Sequence, residues 1–115
     1  MEIRTGYFAY AKKYTELGYK CVSIARVKPK WFDGVSLYEL APPINLLERY
    51  KRGIVSEEVF KEEYLFYLKS IDIESIFNGF STDDKLVLLC YEKTNSFCHR
   101  HILAEYLNKK YDLYI

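Results

Sequence analysis

The segment Lys85-Leu86-Val87-Leu88-Leu89-Cys90-Tyr91 constrains this chain more than any other. Apolar residues fill both alternating sets of positions, so a strand here must be covered on both faces. Sheets of that kind are mostly parallel, with helices as crossover connections. The rest of the chain meets the demand. Ile3 to Tyr7 reads as a short strand. Tyr7, Tyr10, Ala11, Tyr14 and Leu17 then recur at helical spacing, and Gly18 suits the position just past a helix end. Lys20 to Ala25 is short and mostly apolar and reads as a second buried strand. Ile44 to Arg52 forms a short helix that Gly53 ends. Ser56 caps a helix from about Ser56 to Ser70, whose apolar face is Phe60, Tyr64, Tyr67, Leu68 and Ile71. A shorter stripe of Ile73, Ile76, Phe77 and Phe80 follows. Past Tyr91, Ser96 caps a helix from Phe97 to about Lys109, and Tyr111 to Ile115 reads as a final edge strand. The pattern predicts an α/β fold: a small, mainly parallel sheet of about four strands with helices on both faces, built as a single domain over residues 1–115.

Composition supports a folded domain. Half of the 115 residues are hydrophobic and 17% are aromatic, enough apolar surface to exclude wholesale disorder. Lys and Arg number 17 against 16 acids, a net charge of +1, which argues against coating nucleic acid by bulk charge and leaves a local basic patch open. Three cysteines are an odd count and give no paired disulfide framework. No long apolar run suits a membrane span, and the start Met1-Glu2-Ile3-Arg4 lacks a secretory apolar stretch. The expectation is a cytoplasmic protein with no membrane partner. The many tyrosines suit either a homodimer interface or core and surface filler.

Two segments draw attention to function, since ligands of parallel sheets gather beyond the C-terminal ends of the strands. The first is the stretch from Arg26 to Pro43, with Lys28, Lys30 and Trp31, a long loop that is either functional or a surface loop anchored by Trp31. The second runs from Cys90 to His101 and holds two of the three cysteines and both histidines. It passes from a buried strand end through a polar loop into a helix N-terminus, whose free N–H groups favour an anion. Arg100 adds a fork of donors suited to phosphate or carboxylate. The same turn favours a thiolate at Cys98, and Glu92 suits a general base or a partner that orients Arg100 or His99. Each piece also has a plainer role: Cys90 as a small buried hydrophobe, Cys98 as filler, His99 as a supporting group, Glu92 and Arg100 as a structural ion pair. Zinc fits poorly, because seven residues separate Cys90 from Cys98 and a fourth ligand would have to come from far along the chain. The common nucleotide, metalloprotease and hydrolase motifs are absent, so no metal and no cofactor is expected.

Leu88-Leu89-Cys90-Tyr91-Glu92-Lys93, followed by Phe97-Cys98-His99-Arg100, resembles the signature of the "domain of unknown function 488" family. That signature is Leu-Leu-Cys-x-Glu, a short loop, then Cys-His-Arg opening a helix. Thr5, taken as the end of the first strand, Ser23-Ile24-Ala25-Arg26, Pro29-Lys30-Trp31-Phe32 and Leu40-Ala41-Pro42-Pro43 resemble further parts of the family's compact branch. The resemblance implies a small cytosolic α/β domain of largely unassigned activity, linked to nucleic-acid metabolism by association. Longer members carry an acid where this chain has Ile24.

Together these readings place Cys98, Glu92 and His99 as catalytic candidates. Arg26, Arg100, Cys90, Trp31, Thr5 and Tyr7 become candidate ligand contacts, with Trp31 or Tyr7 as an aromatic wall for a base. Three functions stand side by side. One is an enzyme acting on a phosphate-bearing ligand, a nucleotide or nucleic-acid end. The second is a module that binds an anion or nucleic acid without turnover. The third is a polar network that only holds the loop.

Overall fold

The computed structural model describes residues 1–91 and 99–111. Four strands make one parallel sheet: β1 (Glu2–Tyr7), β2 (Lys20–Ser23), β3 (Val35–Ser36) and β4 (Lys85–Cys90). They lie in the order β1-β4-β2-β3, so the last of the four described strands sits between the first two. Tyr7 stands opposite Cys90, and Ser23 opposite Leu89. This register brings the C-terminal ends of β1, β4 and β2 to one rim. The helices are α1 (Ala11–Glu16), α2 (Ile44–Lys51), α3 (Glu57–Ser70), α4 (Ile73–Ile76) and α5 (His99–Tyr111).

The two-sided pattern of β4 is what its surroundings require. Leu86 and Leu88 join Ile3, Val22 and Ile24 in a core covered by residues such as Leu46 of α2, Tyr64 of α3, Ile73 of α4 and Leu103 of α5. Val87 and Leu89 point the other way, into a smaller cluster with Phe8, Ala11, Ala25 and Phe32. None of these four β4 side chains is more than 1% exposed. Burying each one is worth about 1.5–3 kcal/mol. The layers are uneven: four helices cover one face, while α1 and the loop around Phe32 cover the other.

Helix ends follow the residues that allow them. Gly18 and Gly53 take φ of 91° and 73° just past α1 and α2, a backbone region that costs glycine nothing. Ser56 caps α3 by accepting the Val59 N–H at 3.1 Å, with Glu57 and Glu58 in the first turn.

Two expectations change. The stretch from Arg26 to Pro43 is not all loop, for it holds β3 and a 3-10 turn at Tyr38–Leu40. Val35 pairs with Val22, and the Leu37 N–H donates to the Ser23 carbonyl at 2.9 Å. Two residues are too few to show a strand period, so the sequence carries no sign of this edge. Tyr111 is not the start of a strand but the last residue of α5, carried on by the stripe of Leu103 and Leu107 that enters the core. Residues 112–115 lie outside the described residues, as does the expected cap at Ser96. Among the described residues no helix is long and apolar enough to cross a membrane.

Candidate functional site

The chain leaves β1 towards α1 on one face, whereas α5, which follows β4, packs on the opposite face. Adjacent parallel strands whose connections diverge in this way leave a crevice at their C-terminal ends. Side-chain alternation then decides what points into it. Cys90 shares the helical face with Leu86 and Leu88, and Tyr91 falls on the other face against Phe8, with ring centroids 5.0 Å apart. Arg26, two residues beyond Ile24, also turns to the helical face.

A cavity of about 310 Å³ opens on this helical face, beyond the ends of β2 and β4 rather than between β1 and β4. Arg26, Cys90, Tyr91 and His99 line it from the strand ends and the start of α5, and Ile44, Leu47, Glu48 and Lys51 line it from α2. His99 is fixed at both ring nitrogens. Its Nε2–H donates to the Ile24 carbonyl at 2.8 Å, and Nδ1 lies 3.7 Å from Cys90 Sγ. Tyr64 packs edge-on against the ring at 5.9 Å. The Arg26 guanidinium donates through Nη2 to the Pro42 and Ala41 carbonyls at 2.9 and 3.3 Å. Arg26 Nε is buried and has no hydrogen-bond partner among the described residues. Across the mouth, the Tyr91 hydroxyl donates to the Val27 carbonyl at 2.6 Å, and partial burial pushes this phenol's pKa up.

Arg100 and Tyr7 sit beside this cavity without lining it. Arg100 is only 1% exposed. Tyr7 hydrogen-bonds with Tyr10, 4.7 Å away between ring centroids, which with burial pushes its phenol up to about 12 while the Arg100 charge pulls the other way.

Arg26, Cys90 and His99 thus share one cavity, with Arg100 and Tyr7 next to it. Trp31 stands apart at 64% exposure, packed edge-on against Phe8 at 6.2 Å. Among the described residues a row of rings, Trp31–Phe8–Tyr91, connects it to the cavity wall. Thr5 does not end its strand, which continues to Tyr7, and it lines a separate hollow with Arg4, Tyr14, Leu17, Tyr19 and Val87. Glu92 and Cys98 lie outside the described residues. Sequence reasoning missed Lys51 and Glu48. Their helix was legible, but not the rim that it would meet. Among the described residues no three His, Cys, Asp or Glu side chains are grouped to hold a metal ion.

The fold and rim define a small parallel α/β protein that carries a thiol, an imidazole and a guanidinium at its strand ends. The chain belongs to the DUF488-N3a family: the model described as the active DUF488-N3 subclade matches residues 9–111, in keeping with the resemblance seen in the sequence. No curated protein and no solved structure matches it significantly.

Proposed function

We propose that this chain is an enzyme that acts on a phosphate-bearing ligand, a nucleotide or nucleic-acid end, held at the rim cavity. One observation carries the reading: Arg26 and Lys51 line the same cavity as His99 and Cys90, at the strand ends where parallel sheets collect their ligands. Arg26 Nε is a buried donor with no acceptor among the described residues. Arg100 adds positive charge close to His99, and the half-exposed ring of Tyr91 at the cavity mouth offers an aromatic face for a base. The chemistry falls to His99 together with Glu92 and a cysteine thiol of the same segment. The subclade's description as active is in keeping with an enzyme. The same reading places the protein in the cytoplasm, with a homodimer as a further expectation.

Thermal unfolding with a panel of nucleotides and short oligonucleotides tests binding. A ligand at a hundred times its Kd should stabilise the wild type by about 2.7 kcal/mol. Lys51→Glu and the double variant Arg26→Ala/Arg100→Gln should lose that gain. Equal stabilisation of wild type and variants would remove the site. Once a substrate is found, Glu92→Gln should lower turnover by about a hundredfold or more. Arg26 also favours a second reading, in which the group only fixes the loop. Its bonds to the Ala41 and Pro42 carbonyls tie β2 to the segment before α2. In that case the panel yields no ligand, and the variants lose stability alone.

A further inference from the structure

Anion binding leaves one pairing in the cavity unused. A carbonyl oxygen only accepts, so in the 2.8 Å contact with Ile24 it is His99 Nε2 that carries the hydrogen. In the neutral ring the other nitrogen, Nδ1, is then a bare lone pair. It faces Cys90 Sγ at 3.7 Å, within reach of an S–H donor. A nucleophile beside a base, with the base oriented by a third group, is the arrangement that activates a thiol. The thiolate is the reacting species, and Nδ1 is where the proton can go. Cys90 is 2% exposed and His99 8%, so the pair is shielded from bulk water, yet both residues line the cavity.

We infer that Cys90 is the nucleophile of this cavity, that His99 Nδ1 takes its proton, and that the Ile24 carbonyl fixes the ring's tautomer. The electrophile rests on the phosphate-bearing ligand proposed above. On a phosphate ester, Sγ forms a bond to phosphorus while its proton passes to Nδ1. The bond from phosphorus to the leaving oxygen breaks, and that oxygen takes the proton from His99. Water then attacks phosphorus, the sulfur–phosphorus bond breaks, and one water proton returns through His99 to Sγ as phosphate departs. Arg26 and Lys51 offset the charge on the transferring group. Sequence reasoning made Cys98 the thiol of the reaction and Cys90 a ligand contact; the pairing with His99 gives the role to Cys90.

Alkylation tests the pair without any substrate. The full wild-type chain is treated with iodoacetamide at a series of pH values, and the rate at each cysteine is read by peptide mass spectrometry. An unassisted thiol, with a pKa of about 8.5, reacts at about pH 7 roughly twenty-five times more slowly than at about pH 9. Cys90 should slow by less than about threefold, with Cys21 as an internal reference. In His99→Gln, whose amide can still donate to the Ile24 carbonyl, Cys90 alkylation at about pH 7 should fall about tenfold or more while Cys21 is unchanged. Should that variant fail to fold, the wild-type profile decides. An ordinary thiol profile at Cys90, no labelling of Cys90 in the folded protein, or a rate indifferent to His99→Gln overturns the inference. Failure of the nucleotide panel with the alkylation result intact would remove the ligand and leave the nucleophile standing. The reverse pair of results would keep the ligand and remove the nucleophile.

Discussion

Arg26 and Gly34 fix the loop after β2 by opposite means, one by reaching and one by lacking a side chain. Arg26 spans the base of the loop and donates to the two carbonyls just before α2. Charged donors of this kind contribute about 1.5–3 kcal/mol each at best, and less when partly wet. Arg26→Ala should therefore cost about 1–3 kcal/mol in urea unfolding, besides any loss of ligand. A Cβ on Gly34 would lie 2.9 Å from the Cys21 carbonyl oxygen and 2.6 Å from the Phe32 ring. The first neighbour is sheet backbone and cannot swing away. Gly34→Ala should push β3 off β2 and cost about 1–3 kcal/mol. Gly6→Ala is a useful contrast. Its nearest neighbour is the hydroxyl end of Tyr14 at 2.5 Å, a side chain that can move. The smaller loss should fall at Gly6, and an equal or larger one would show that Tyr14 is locked.

Element ends and element contacts respond to single groups. Ser56→Ala removes the acceptor for the Val59 N–H and should cost about 1 kcal/mol in thermal or urea unfolding. Tyr64 lies at the centre of α3, fully buried, and donates its hydroxyl hydrogen to the Leu40 carbonyl. Tyr64→Phe should cost about 1–3 kcal/mol, because the carbonyl is left without that donor inside the core. The elements themselves were legible wherever a period ran long enough. β4 announced its two buried faces, and α3 its cap and stripe. β3 was not legible, because its two residues owe their place to Gly34 and to an edge that β2 leaves open. The site was legible in part. Arg26, Cys90 and His99 were singled out by residue type and by the strand-end rule. Their distances follow from β4 lying beside β2, which no local pattern encodes. Lys51 escaped notice because a lysine on a helix is ordinary until its neighbours in space are known.

At the scale of the whole molecule, acid should loosen the fold through its surface carboxylates. The Lys20 ammonium lies 2.9 Å from Asp84 and holds that carboxyl below its usual range, and the Arg49 guanidinium at 2.6 Å does the same for Glu63. A carboxyl with a lowered pKa in the folded state adds stability above its unfolded pKa, and that share disappears as pH falls through the folded value. The difference in melting temperature between wild type and Asp84→Asn or Glu63→Gln should therefore be present near neutrality and close as pH falls below about 4. A gap that persisted in acid would mean that the substitutions act through packing rather than charge.

The middle place of β4 also bears on how the protein is made. On a ribosome, Glu2 has no partner until Lys85 has emerged, and Lys20 likewise waits for Leu86. The growing chain can set α2 against α3 early, but it must hold a slot open between its first two strands. Closure of the sheet therefore waits until β4 has been made. A translation product cut after Asp84 should stay loose, and a separate peptide that begins at Lys85 should restore it in trans.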